Sequence, residues 1–179
     1  MRTDPEPWQR KSIRLPGRDY RADGMYFVTI VCEGRRPILS DVRGGHIALS
    51  PIGEIVTACW LAIPNHFRRA KLDAWVVMPD HVHGIITLVG EPPLEADALA
   101  GEDERACGTH SGSVSAIIQN FKAVSTRRIN AMMAGNAEPG KVWQRGYYER
   151  IARENGEIDR IRRYIRANPA RWRKPPRNT

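Results

Sequence analysis

The sequence predicts an α+β domain built on a four-stranded antiparallel sheet with two helices on one face. Stretches rich in β-branched and aromatic residues alternate with stretches whose apolar residues recur at helical spacing. Two of the strand-like stretches are separated by only a short turn, which favours an antiparallel hairpin. The length of 179 residues suits one domain with a substantial core.

Four stretches have the composition of strands: residues 25–32, 72–78, 81–89 and 142–152. Pro79 marks the turn between the second and the third, because proline cannot donate to a sheet ladder. The third stretch is strongly apolar apart from two histidines, so it is expected in the interior of the sheet.

Three stretches have the periodicity of helices. Residues 51–63 follow Ser50, a good N-cap, and residues 113–134 carry an apolar stripe at helical spacing. A last helix begins near Asn155 and is expected to stop at Pro169. The order β-α-β-β-α-β, followed by one extra helix, fits the ferredoxin-like split βαβ plan.

A single domain is predicted over residues 25–172. It is flanked by a loosely ordered basic arm at residues 1–24 and a basic tail at residues 173–179. Residues 90–112 are rich in Glu, Asp, Ala, Gly and Pro without any period, which is typical of a mobile loop.

The cysteines do not form a recognisable framework. Cys32, Cys59 and Cys107 are three in number and widely spaced, which fits neither a disulfide scaffold nor a zinc site. Cys32 and Cys59 lie in apolar runs and are expected to be reduced core residues. No N-terminal segment resembles a signal peptide, and no run is long enough to cross a membrane. We therefore expect a cytoplasmic protein with no membrane association.

The charge of the chain indicates an anionic partner. The formal net charge is +8, and eight arginines and lysines follow Asp159 with no acidic residue among them. Such a concentration favours nucleic acid first and an anionic membrane surface second. Simple solubility also explains a basic chain, so the charge by itself leaves the partner open.

His81 and His83 are the first candidates for a functional site. Residues two apart in a strand point to the same face, so the two imidazoles are expected side by side. Such a pair supplies half of a divalent-metal site, although two neighbouring surface histidines would show the same spacing. The apolar flanks favour the metal, because burying two imidazoles without partners is costly.

The last helix carries the next candidates. Tyr164 and Asn168 are four residues apart and share one helix face. An amide oxygen at the helix end can turn toward a metal, but the spacing alone favours an ordinary asparagine stop and a half-buried tyrosine. A neighbouring apolar stripe would dock the helix on the sheet: Ile158, Ile161 and Ile165.

Together these segments resemble the single-tyrosine HUH transposases, in the branch called REP-associated tyrosine transposases. The resemblance spans nearly the whole chain in five segments: DYRADGMYFVTI (19–30), LDAWVVMPDHVHGII (72–86), QNFKAVSTRRIN (119–130), VWQRGYYERIARE (142–154) and IDRIRRYIRANPARW (158–172). MPDHVHG followed far downstream by RRYIRANP is much more specific than either motif alone.

The resemblance implies a role for each candidate. His81 and His83 match the histidines that bind a divalent metal, Asn168 matches the third ligand, and Tyr164 matches the nucleophile. The implied activity is metal-dependent nicking and joining of single-stranded DNA through a covalent 5′-phosphotyrosine intermediate. The implied cofactor is Mg²⁺ or Mn²⁺. The implied partner is single-stranded or hairpin DNA formed by a short palindromic repeat, and a monomer is preferred over a homodimer.

Basic residues near the tyrosine are candidate DNA contacts. Four arginines on the last helix are expected to meet the DNA backbone: Arg160, Arg162, Arg163 and Arg166. A second candidate surface lies on the helix at 113–134: Lys122, Arg127 and Arg128. Three aromatic residues fit either base stacking or core packing: Trp143, Tyr147 and Tyr148.

Two other functions fit part of the sequence. A protein that binds repeat hairpins without cleaving them would share the basic surfaces, but it would need no nucleophile. An RNA-binding module of the RRM type has a similar fold. Such a module would carry an aromatic-rich RNP pattern that is missing here, and it has no use for a histidine pair.

Overall fold

The computed structural model of the chain describes four stretches: residues 22–90, 111–134, 140–152 and 155–173. Apart from a few edge residues, the predicted basic arm, mobile loop and basic tail lie outside these stretches, as does Cys107. Their predicted character is therefore neither supported nor contradicted by the structure.

The described elements follow one another along the chain. They are β1 (Gly24–Val31), a 3-10 turn (Glu33–Arg35), β2 (Ser40–Arg43), β3 (His46–Leu49), α1 (Pro51–Leu61), α2 (Ile63–His66), β4 (Ala70–Val77), β5 (His81–Leu88), α3 (Val114–Met133), β6 (Tyr148–Ala152) and α4 (Asn155–Arg171). Ser50 caps α1 by accepting a hydrogen bond from the Gly53 amide, and Ser113 caps α3 by accepting one from the Ala116 amide.

The central sheet has the strand order β4-β5-β1-β6, and all neighbouring strands are antiparallel. This is the strand arrangement of the ferredoxin-like plan, so the predicted fold class is confirmed. Helices α1 and α3 pack against each other and against one face of the sheet. Trp60 of α1 comes so close to β5 that a Cβ at Gly84 would lie 2.2 Å from its ring. Only glycine fits there.

The opposite face of the sheet is covered by α4. Its apolar contacts are few: Ile161 and Ile165 pack on Ile85, with half-buried side chains around them. This second cluster is much smaller than the main core. The position of α4 on the sheet therefore depends on additional contacts as well. Those contacts decide where the side chains of α4 lie relative to β5.

Three details differ from the sequence predictions. A two-stranded hairpin, β2 with β3, was not predicted, because its strands are four residues long and mostly exposed. The predicted strand at 142–152 is regular only over β6, and Trp143 forms an isolated bridge with Cys32. Helix α1 ends at Leu61, and Pro64 lies within the short α2 rather than marking a stop.

The prediction that the last helix stops at Pro169 was wrong. Helix α4 continues through this proline to Arg171. A proline in the last turn removes only the one hydrogen bond that its own amide would have donated to the carbonyl of Ile165. Asn168 is consequently a helical residue rather than the residue at a helix stop.

Cys32 and Cys59 are free thiols and both are buried, as predicted. Burial is the main cause that raises the pKa of Cys32 to about 12, so this thiol stays protonated. In the part of the chain that the structure describes, no helix has the length and apolar character needed to span a membrane.

Candidate active site

The two histidines lie at the start of β5, side by side on the face that α4 covers. Both are buried, and their ring centroids are 4.4 Å apart. They share this face with Ile85, which belongs to the apolar cluster under α4. The strand geometry expected from the sequence is therefore present.

A polar partner orients each imidazole through its Nδ1 atom. Nδ1 of His81 is 2.5 Å from the Asp80 carboxylate, which can only accept, so this nitrogen carries the hydrogen. Nδ1 of His83 is 2.8 Å from the hydroxyl of Thr29, the residue paired with it across β1 and β5. The Asp80 carboxylate therefore leaves Nε2 of His81 to offer a lone pair, whereas the Thr29 hydroxyl can donate or accept and fits either tautomer of His83. Such outer partners are typical of metal-binding histidines.

Electrostatics keep this site in the protonation state that a metal requires. Burial, with the nearby charge of His81, lowers the pKa of His83 to about 3, against an opposing effect of Asp80. Burial raises the pKa of Asp80, but the hydrogen bond and charge of His81 and the charge of Arg35 lower it further than burial raises it. At neutral pH His83 is thus a neutral base and Asp80 an anion.

Tyr164 reaches the histidine pair from α4. Its phenolic oxygen lies 3.4 Å from Nε2 of His83, and its ring stands edge-on to Phe27. The tyrosine is 42% exposed, which leaves the hydroxyl open to a large substrate. Just beyond the helix, the ring of Trp172 lies 6.1 Å from that of His81. Asn168 is four residues from each of these aromatics and half-buried, so it lies on the helix face that turns toward the pair.

The donor set fits a divalent metal. The two imidazoles can offer ring nitrogens to an ion, and the facing helix offers an amide oxygen. Among the described residues no three His, Cys, Asp or Glu side chains are grouped closely enough to hold an ion. A third protein ligand would therefore have to be another kind of side chain, and the Asn168 amide is on the facing helix. An amide oxygen suits Mg²⁺ or Mn²⁺, while imidazole nitrogens also suit other divalent transition metals.

The four arginines of α4 have different surroundings. Arg162 is held by two carboxylates, Asp73 and Asp159, while the other three are exposed. Arg160 is one turn before Tyr164 and lies on the same side of the helix. Arg163 lies on the side of the helix opposite the sheet. Arg166 lies on the flank toward β4, where its charge acts on Asp73. The prediction of DNA contact thus has its best geometric support at Arg160.

The second candidate surface borders an open groove of about 650 Å³ between α3 and residues 141–145. The Lys122 ammonium donates to the carbonyls of Gln144 and Gly146 at 2.7 and 2.6 Å. Burial, together with the charge of Lys141, lowers the pKa of Lys122 to about 8. Arg127 lines the same groove, and Arg128 is also exposed. Lys122 therefore has a structural role in tying α3 to the following segment.

Packing accounts for two of the three aromatic candidates. Trp143 is buried and its indole N–H donates to Ser125. The Tyr147 hydroxyl donates to Glu149 and lies 3.1 Å from the hydroxyl of Ser115. Tyr148, in contrast, is 55% exposed.

Several residues of the site were missed by sequence reasoning. Asp80 was given no role in the sequence analysis, although an acidic residue next to a candidate ligand is a signal for an outer partner. Arg35, in the left-handed region at φ 51°, has its Nη1 3.5 Å from Asp80. Thr29 and Asp73 carried no local signal, because only the sheet register and the seat of α4 bring them into the site.

The comparisons with known proteins bear on the family and the fold of the chain. Residues 108–168, which include α3, β6 and Tyr164, match the family described as "Transposase IS200 like". An uncharacterized protein of Haemophilus influenzae is 34% identical over 169 residues, covering 91% of this chain and 89% of the relative.

A solved REP-associated tyrosine transposase bound to a REP hairpin superposes with a TM-score of 0.57 at 20% identity. The match covers 86% of this chain and 72% of that one, and it shows a shared fold.

The family match and the shared fold support a DNA-processing enzyme. The chain belongs to the IS200-like transposase family. The family expected from the sequence is confirmed. This family match supports the general function of a DNA-binding transposase. The RNA-binding alternative has no support left.

Proposed function

We propose that the protein cleaves and rejoins single-stranded DNA with Tyr164 as the nucleophile. One observation carries the proposal: the Tyr164 phenol lies 3.4 Å from Nε2 of His83 in the same chain. Both histidines are already oriented by partners on Nδ1, so the site is organised before any ligand arrives. We further propose His81, His83 and Asn168 as the ligands of a divalent metal.

The bond changes follow from the position of the phenol. The oxygen of Tyr164 attacks a backbone phosphorus, a bond from this oxygen to phosphorus forms, and the bond from phosphorus to the 3′ oxygen breaks. The phenol loses its proton and the departing 3′ oxygen gains one. The 5′ phosphate stays on the tyrosine, and the released 3′ hydroxyl can attack such a linkage in the reverse direction. A bound Mg²⁺ or Mn²⁺ would withdraw charge from the phosphate.

The proposed substrate is a DNA hairpin with an adjoining single strand. The solved transposase with the same fold is bound to a REP hairpin, which supports this class of substrate. The positive charge after Asp159 and the exposed Arg160 beside the tyrosine favour backbone contacts. The half-exposed phenol suits a strand that lies across the surface rather than a small molecule in a closed pocket.

The alternative is a protein that binds repeat hairpins without cleaving them. The two functions differ in one product, a covalent link between protein and DNA. Binding alone would not require a phenol aligned with an oriented histidine pair. Removal of the Tyr164 hydroxyl therefore distinguishes the two functions.

The test is to trap the covalent adduct with hairpins from the neighbourhood of the gene. Wild-type protein with Mg²⁺ or Mn²⁺ should form it, and Tyr164→Phe should not, because the change removes one oxygen and keeps the ring packed on Phe27. EDTA should abolish the wild-type adduct while hairpin binding persists. Tyr148→Phe is the matched control, since this exposed phenol lies in β6 and should be dispensable. A nucleotide found by mass spectrometry on Tyr147 or Tyr148 instead would assign the chemistry elsewhere.

A further inference from the structure

We infer that Asp73 and Arg162 form a latch that sets the rotation of α4 on the sheet and thereby aligns Tyr164 with His83. Both are positioning residues, and neither is expected to touch DNA. The inference rests on the proposed function, because it assigns a purpose to the alignment of the phenol. It also revises the sequence prediction that Arg162 contacts the DNA backbone.

The contact between Asp73 and Arg162 is two-pronged. Nη2 of Arg162 donates to Oδ2 of Asp73 at 2.6 Å, and Nε donates to Oδ1 at 3.1 Å. Nη1 donates to Asp159 one turn earlier at 3.0 Å. Three of the five N–H donors of the guanidinium are thus directed at two carboxylates, whose charges compete with a phosphate for this arginine. The hydrogen bond from Arg162 is also the main cause that holds the pKa of Asp73 below its ordinary value.

A bulge in β4 makes this contact geometrically accessible. The register of β4 against β5 shifts between Leu72 and Trp75. Ala74 packs into the apolar cluster under α4, while its neighbour Asp73 also reaches α4 through Arg162. Successive residues of a regular strand point to opposite faces, so only an irregular strand presents both to one helix. The Asp73 carboxylate further accepts the Ala74 amide at 2.6 Å, which fixes its direction.

The helix geometry converts this contact into an alignment of the tyrosine. Ile161 and Ile165 form the stripe on which α4 rests. At about 100° per residue, Arg162 lies about 80° to one side of the stripe and Tyr164 about 80° to the other. Arg162 is tied to β4, and Tyr164 lies over β5 and β1. Ile158 is also buried, but a stripe this narrow permits the helix to roll, and the latch opposes that roll.

The test compares Asp73→Asn, Arg162→Gln and the double variant with Arg171→Gln, an exposed arginine at the end of the same helix, as the matched control. Each variant is measured for the single-turnover rate of adduct formation at saturating hairpin and for hairpin Kd at several salt concentrations. Both single variants should slow the adduct by about 10- to 100-fold, because a misplacement of about 1 Å has effects of this size. Kd and its salt slope should stay the same. The double variant should be no slower than either single one, since the two changes remove one interaction.

A phosphate contact by Arg162 predicts a different pattern. Arg162→Gln would then weaken binding and flatten the salt slope, whereas Asp73→Asn would release the arginine and tighten binding. Opposite effects of the two variants on Kd would overturn the latch, and so would wild-type adduct rates in both. If Arg162→Gln does not fold, Arg162→Lys replaces it, because lysine keeps the charge but lacks the planar fork.

Failure of the proposed function would be visible separately, as wild-type protein that forms no adduct. Hydrogen exchange then still tests the latch. The amides of α4 should exchange faster in Asp73→Asn than in Arg171→Gln, and equal exchange would contradict the inference.

Discussion

Thr29 shows how much of the site depends on a single hydroxyl. It pairs with His83 across two strands, and its Oγ1 lies 2.8 Å from Nδ1 of that imidazole. Asp80 plays the corresponding part for His81. The two histidines are therefore held by different chemistry, a neutral hydroxyl for one and a carboxylate for the other. A hydroxyl orients the ring without adding a charge to it.

We expect Thr29→Val to weaken metal binding while the fold is retained. Valine has nearly the same shape but cannot hydrogen bond, so His83 loses the partner that holds its ring in place. Loss of such an outer partner typically lowers metal affinity by about 10- to 100-fold. Isothermal titration calorimetry with Mn²⁺ measures the change in affinity directly.

The matched control for this substitution is Thr87→Val. Thr87 lies on β5, four residues after His83 and on the same face of the strand, but away from its Nδ1. Equal Mn²⁺ affinities for Thr29→Val and the wild type would show that the hydroxyl does not support a metal ligand.

At the scale of the element, the two flanks of the apolar stripe of α4 carry side chains with different roles. The flank toward β4 carries Arg162 and its carboxylate partners, and the flank toward β1 carries Tyr164. Arg160 is exposed one turn before Tyr164 on this second flank. The arginines of the helix are therefore expected to differ in function, although nothing in the sequence distinguishes them.

Arg160→Gln should flatten the dependence of hairpin binding on salt. Loss of one phosphate contact reduces the slope of log K against log salt by about one unit. Arg162→Gln, on the opposite flank, should leave the slope unchanged. Fluorescence anisotropy with a labelled hairpin at several NaCl concentrations gives both slopes. Identical slopes for Arg160→Gln and the wild type would place the DNA on another surface, such as the groove beside Arg127.

At the scale of the whole molecule, the tyrosine and the histidines of one chain lie together. Helix α4 packs on the sheet of its own chain, and the 3.4 Å approach of Tyr164 to His83 is made within that chain. Because one chain brings these groups together, we propose that a monomer is competent for cleavage.

A mixture of Tyr164→Phe and His83→Ala proteins should therefore form no adduct. Each chain lacks one half of the site, and neither can supply it to the other if the helix stays on its own sheet. Gel analysis of the adduct, with light scattering for the molar mass, measures both the activity and the assembly. Wild type diluted with Tyr164→Phe serves as the control for inhibition. Recovery of the adduct in the mixed sample would mean that α4 is exchanged between two subunits.

Much of this protein is determined by local patterns in its sequence. The alternation and periodicity of apolar residues predicted the four strands, the two helices packed on one face and the last helix. The spacing of His81 and His83 in a strand predicted a shared face. The spacing of Tyr164 and Asn168 in a helix did the same. These features are readable because each depends on neighbours within about one turn or one strand repeat.

Only the tertiary structure decided which partners these side chains have. Thr29 is 54 residues from His83, and Asp73 is 89 residues from Arg162. The sheet register, a bulge in β4 and the seat of α4 bring each pair together, and none of these has a local signature. The continuation of α4 through Pro169 was also decided by tertiary packing. One missing hydrogen bond in a last turn is a small local cost, and the packing of the helix on the sheet and against the hairpin at Gly45 outweighs it.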